Sequence, residues 1–187
     1  MLAVGRFPPA RGLMLSFAAA STSGCALATV LAIRVGATAL VPAYALFGLF
    51  GAAIAVYDLR RRRVPNWMLM PTGVAVTLLL LMAAAVDDLW GSMLRALLAA
   101  LVVTFAFGTL AVVFRRGLGF GDVKLAGLVG LVTGFVSWHT VWLGIVLAFV
   151  GAAVVAVTLV VRRASERTIP FAPFMVLGAA VAVCLRT

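Results

Sequence analysis

Two of the five acidic residues, Asp58 and Asp122, adjoin long apolar stretches. An ionised carboxylate in such a place is costly unless it is wet or partnered. Each therefore needs a reason to be there. Asp58 falls in "YDLRRRRVPN" (57–66) and Asp122 in "GFGDVKLAG" (119–127). A cap or an ion pair with the neighbouring arginines is one reading of Asp58. A helix N-cap is one reading of Asp122, because aspartate suits that position. The other reading is chemical. Two carboxylates at close range share a proton. The ionised member takes a proton from water while the protonated member polarises a carbonyl, and the two then exchange roles. Such a pair titrates as a unit, so neither residue has a fixed role. Gly119 and Gly121, with Gly117 before them, permit close backbone approach beside Asp122.

The remaining polar residues offer little competition. Asp87 and Asp88 stand together in a polar turn, and Glu166 lies between Arg163 and Arg167. These read as a solvated loop and a local ion pair. The single histidine, His139, lacks a plausible nucleophile and orienting partner on its side of the membrane. Cys25 and Cys184 are widely separated in apolar surroundings and read as small core residues. No metal or cofactor is expected. The glycine-rich stretch lacks the Gly-Lys-Ser/Thr ending of a phosphate loop.

What positions the two aspartates is a membrane. The chain is 65% hydrophobic and 11% charged, with a mean hydropathy of +1.23; soluble domains carry about 25% charged residues. Seven apolar segments read as transmembrane helices: Gly12–Ile33, Ala37–Val56, Trp67–Val86, Met93–Phe114, Val123–Trp138, Val141–Val161 and Phe171–Leu185. The first is weakly hydrophobic, and Arg6 and Arg11 ahead of it also fit the start of a signal peptide. The fifth and seventh are short, as segments that tilt or begin in protein-lined space are.

Positive charge collects in alternate connections: Arg60 to Arg63, Arg115 and Arg116, then Arg162, Arg163 and Arg167. That pattern puts these loops and the N-terminus in the cytoplasm and the C-terminus outside. Arg34, Arg95 and Arg186 are the exceptions. The net charge of +10 thus reads as topology and anionic headgroup contact, not nucleic acid binding. Asp58 ends the second segment at the cytoplasmic face and Asp122 begins the fifth at the same face. If those helices pack together, the carboxylates meet. Trp67, Trp138 and Trp142 read as interface anchors. The expected whole is an all-α polytopic membrane protein, one domain over residues 1–187, in the plasma membrane with its site toward the cytoplasm.

Three stretches in order carry a family resemblance. Asp58 is followed by Pro65 and Asn66; Gly119, Gly121 and Asp122 are followed by Val123, Lys124 and Leu125; and "IPFAPFMVLGA" (169–179) precedes the last segment. Over about residues 40–185 the chain resembles the type IV prepilin leader peptidases, the Gly-x-Gly-Asp membrane aspartic proteases. The resemblance implies that Asp58 and Asp122 are catalytic. It implies that Gly119, Gly121, Lys124, Pro65, Asn66, Pro170 and Pro173 shape the site or bind substrate. The implied substrate is a pilin or pseudopilin precursor whose short basic leader precedes a hydrophobic helix. Ala172 departs from the family's usual glycine. The paired Cys-x-x-Cys segment of the bifunctional members is absent, so the resemblance carries peptidase activity without the methyltransferase. Archaeal preflagellin peptidases share the two-aspartate plan and remain the alternative. A transporter or structural subunit would need more polar groups at mid-depth than Ser21, Thr22, Ser23, Thr77, Thr104, Thr109 and Thr158 supply. The oligomeric state and the particular pilin are not legible.

Overall fold

A computed structural model describes residues 30, 39–113, 119–162 and 170–185. The expected first segment over 12–33 lies outside these residues, apart from Val30, as do Gly117, Glu166, Cys25 and Arg6, Arg11, Arg34, Arg115, Arg116, Arg163, Arg167 and Arg186. Six helices follow in order: α1 (Val41–Arg61), α2 (Asn66–Val86), α3 (Trp90–Val113), α4 (Phe120–Val136), α5 (Trp138–Val161) and α6 (Ala172–Cys184). α1, α2, α3 and α5 are each long and apolar enough to cross a membrane. The protein is therefore an all-α, multi-spanning membrane protein.

α4 is the interior element. It packs against α2, α3, α5 and α6, and nearly every side chain from Val123 to Phe135 is buried. Its shortness follows from that position, because a helix enclosed by others need not match the bilayer by itself. α5 is its opposite. Only Thr140, Val141, Gly144 and Ala148 are buried on α5, while Val154, Val157, Val160 and Val161 are exposed. Such a valine-rich outer face suits lipid.

Small residues set the helix spacing. A Cβ at Gly130 of α4 would stand 2.9 Å from the Ala99 carbonyl oxygen of α3, and one at Gly178 of α6 would stand 2.5 Å from the Gly144 carbonyl oxygen of α5. Backbones approach this closely in membranes because packing, not water exclusion, holds helices together. The buried Tyr44 hydroxyl ties α1 to α4 by donating to the Val132 carbonyl at 3.0 Å.

Arg95 stood against the positive-loop pattern, and the fold gives its reason. Its Nε donates to the Gly134 carbonyl at 2.8 Å. An Nη nitrogen donates to the Phe135 and Val136 carbonyls at 2.7 and 2.9 Å and to Ser92 Oγ at 3.1 Å. The guanidinium thus satisfies the open carbonyls at the C-terminus of α4. Only Ser137 separates α4 from α5, and its Oγ caps α5 by accepting the Thr140 N–H at 3.1 Å. The fifth expected segment, Val123–Trp138, therefore ends early, the connection is Ser137 alone, and Trp138 and Trp142 both belong to α5.

Asp87 and Asp88 are exposed in the turn between α2 and α3, as a solvated loop requires. Cys184 is half-buried against the core.

Candidate active site

Asp58 does not end its helix. α1 runs one turn further, to Arg61, and Arg62 closes it in the left-handed region (φ 52°, ψ 39°), its N–H donating to the Asp58 carbonyl at 2.7 Å. The extra turn keeps the Asp58 side chain 4% exposed. An ion pair with the adjacent arginines is not what holds it. The backbone N–H of Ala172, the first residue of α6, donates to Asp58 Oδ2 at 3.2 Å. The carboxylate thus sits at the N-terminus of a helix, where open N–H groups and the macrodipole favour an anion.

This contact explains how Ala172 stands where glycine is usual. The group that reaches Asp58 is a backbone amide, which both residues supply. The methyl is fully buried and leaves the amide in place. Pro173 follows within the first turn of α6 and is buried, and Pro170 is half-buried just ahead of it. Proline is tolerated there because first-turn N–H groups have no intrahelical partner.

Phe171 completes the support. Its ring centroid lies 6.1 Å from that of Phe107 on α3 and 5.3 Å from that of Phe149 on α5, and those two are 5.8 Å apart. The three tilted rings fix the approach to α6 and hence the Ala172 amide. Sequence reading missed Phe107 and Phe149. No spacing links positions 107, 149 and 171, and only the "IPFAPF" motif drew attention to Phe171.

Asp122 is not the N-cap of α4. Gly119 is the cap, and Asp122 is the third helical residue, its Oδ2 accepting the Gly119 N–H at 3.1 Å. This is half of a capping box. Asp122 precedes the apolar run that opens at Val123. Burial pushes its carboxyl up to about 6, the Gly119 N–H pulls the other way, and the carboxylate of Asp58 adds a further upward push. The two aspartates, 64 positions apart, are therefore electrostatic neighbours.

Gly121 makes the junction possible. A Cβ there would lie 2.8 Å from Val64 Cβ and 3.3 Å from the Val64 carbonyl oxygen. The α1–α2 turn accordingly rests on the first turn of α4. Buried Pro65 caps α2 in extended conformation (φ −77°, ψ 118°). Asn66 begins that helix, and its Oδ1 accepts a hydrogen bond from Lys124 Nζ at 3.2 Å. Lys124 thus bonds an amide oxygen rather than either aspartate. The three sequence motifs meet here through Asp58–Ala172, Val64–Gly121 and Asn66–Lys124. Among the described residues, no group of three or more His, Cys, Asp or Glu side chains is placed to hold a metal ion.

A family model described as the type IV leader peptidase family matches residues 45–183. That span takes in both aspartates and all three motifs. No curated protein and no solved structure matches the chain. By that match over most of its length, the chain belongs to the type IV leader peptidase family and is an aspartic-type endopeptidase of the prepilin and pseudopilin class.

Proposed function

We propose that Asp58 and Asp122 are the catalytic pair and that they hydrolyse one peptide bond of a pilin or pseudopilin precursor. The observation that carries this reading is the placement of the two carboxylates on main-chain N–H groups at two helix starts, Asp58 on Ala172 of α6 and Asp122 on Gly119 ahead of α4, with the charge of Asp58 adding to the upward push on Asp122. Each aspartate has Oδ2 tied to a backbone N–H. Oδ1 of each accepts no hydrogen bond from the described residues and is left for water and substrate.

The ionised aspartate removes a proton from water, and the water oxygen bonds to the scissile carbonyl carbon. The protonated aspartate gives its proton to the carbonyl oxygen, producing a gem-diol. In the second half a diol proton returns to one carboxylate, the other protonates the departing nitrogen, and the C–N bond breaks. No covalent enzyme adduct forms and the pair ends ready for another turn.

The chain crosses the membrane seven times in this reading, with the segment over 12–33 as the first crossing. Its N-terminus and active site face the cytoplasm and its C-terminus lies outside. Charge supports that orientation, since Arg60 to Arg63 span the last turn of α1 and the connection after it, next to the dyad. The substrate's basic leader remains in the cytoplasm and its hydrophobic helix enters the bilayer, so the cut falls at the interface. Gly119, Gly121 and the Pro65–Asn66 turn shape the space beside Asp122, and Pro170 and Pro173 set the start of α6. The test is co-expression with each candidate precursor from the same genome, read by mass. Native chain should release a short leader, while Asp58→Asn and Asp122→Asn, equally inserted, release none. Cleavage by either variant at the native rate sinks the dyad.

A further inference from the structure

On the side of α4 turned away from Asp122, an apolar trough of about 420 Å³ opens between α2, α3 and α4. Leu69, Gly73 and Thr77 form one wall, at four-residue spacing on α2; Leu128 and Leu131 of α4 form the other, and Ala100 of α3 lines it too. The stripe from Leu69 to Thr77 rises about 12 Å at 1.5 Å per residue. One leaflet of a bilayer's hydrocarbon core is about 15 Å deep, so the trough runs most of the depth of one leaflet. Its rim residues Met70, Val74, Leu78 and Leu97 are large, apolar and exposed. Gly73 leaves it open: a Cβ at that position would meet nothing within 4 Å.

One end of the trough is polar. Lys124 lines it there and is exposed. The ammonium bonds only the neutral Asn66 Oδ1 among the described residues. That bond leaves the Asn66 amide N–H groups as further donors beside the cation. Arg60 and Arg61 end α1, and Arg62 and Arg63 lie in the turn that leads to Asn66. A positive charge and amide donors at the end of a leaflet-deep apolar trough match a phosphate ester that carries a hydrocarbon chain.

We infer that this trough is a binding site for one anionic phospholipid, its phosphate on Lys124 and Asn66 and an acyl chain between α2 and α4. The trough is too small for a whole transmembrane helix, which is about 10 Å across with its side chains. The bound lipid braces the Asn66–Lys124 contact and with it the turn that rests on Gly121.

The test uses the full chain in nanodiscs of phosphatidylcholine, with and without phosphatidylglycerol, and native mass spectrometry of the protein released from them. One retained phosphatidylglycerol is expected, with at least tenfold preference over phosphatidylcholine. Lys124→Gln should reduce that preference at least fivefold. Gly73→Leu should abolish retention, while Gly91→Leu, at another glycine with open space around it, should not. A photoreactive residue replacing Thr77 gives a second readout that does not depend on how Gly73→Leu folds. It should capture an acyl chain in membranes that also contain precursor. Equal retention of the two lipids, displacement by millimolar inorganic phosphate alone, or capture of the precursor's helix at position 77 overturns the assignment. None of these outcomes touches the peptidase reading, which is measured by leader release.

Discussion

Replacing Asp122 with asparagine should remove the activity and strengthen the fold. The carboxyl of Asp122 is raised from its ordinary value of 3.8 to about 6, chiefly by burial. Each pKa unit corresponds to about 1.4 kcal/mol, so ionisation costs the folded state at most about 3 kcal/mol. Asp122 is only half-buried, and solvent screening reduces that to about 1–2 kcal/mol. The sign follows from linkage. A raised carboxyl is favourable to folding below pH 3.8, where both states are protonated, and that advantage is lost as pH rises through about 6. Asparagine carries no such cost. Its Oδ1 still accepts the Gly119 N–H that now reaches Asp122 Oδ2.

Thermal unfolding in nanodiscs should therefore place Asp122→Asn above the native chain at pH 7.5 by the equivalent of about 1–2 kcal/mol. The gap should shrink as pH falls from 7 to 4. Cleavage of the precursor by the same preparation should fall by roughly 10²–10⁴-fold, the usual contribution of a positioned acid or base. A variant that is less stable than native at pH 7.5, or whose stability difference ignores pH, refutes the burial argument. A variant that cleaves within tenfold of native refutes the chemical one.

Gly121→Ala should cost at least tenfold in cleavage, because its Cβ would meet Val64 Cβ at 2.8 Å. Val64→Gly in the same chain should restore part of the rate and Val64→Ala should not, since alanine keeps the offending atom. Arg95→Leu removes three hydrogen bonds to the end of α4 and should lower stability by about 2–4 kcal/mol, with Arg95→Lys recovering only part because an ammonium cannot span the same carbonyls. Phe149→Ala breaks two of the three ring contacts around Phe171 and should cost about 1–3 kcal/mol; kcat should fall while KM holds if those rings act through the Ala172 amide.

Each of the six described helices overlaps an expected segment, with ends that differ by up to five residues, because each is an apolar run bounded by charge, proline or glycine. Counting crossings puts Asp58 and Asp122 on one face, and in the fold the charge of Asp58 is felt at Asp122. What the sequence misplaced has a common cause. Asp58 was read as the end of a helix, because the arginines after it signal a membrane boundary. The helix continues to Arg61 because arginine is a good helix former and a charged last turn tolerates water. Asp122 was weighed as an N-cap, yet glycine takes that place. Arg95 contradicted the charge rule because its partners are backbone carbonyls 39 to 41 positions away. Lys124 bonds Asn66, 58 positions away, a partner that no spacing announces. Side-chain patterns record membrane depth and helix faces well. They do not record which backbone group a side chain will meet.

That limit also explains why three short motifs suffice to mark this site. Each aspartate is held by a main-chain N–H, from Ala172 or Gly119. Neither needs a polar side chain for its orientation, and a bilayer interior would penalise extra ones. The residues around the dyad are accordingly glycine, alanine, proline, valine and phenylalanine. Their work is to bring helix starts and one turn to the right place: Gly121 by having no Cβ, Pro65 by fixing the turn, Phe171 by packing. An aspartate pair held this way tolerates alanine for glycine at 172, where the donor is an amide and the methyl finds room. It does not tolerate alanine for glycine at 121, where the missing atom is itself the requirement. The two positions look alike in the motifs, and the difference between them lies in whether the backbone or the empty space beside it does the positioning.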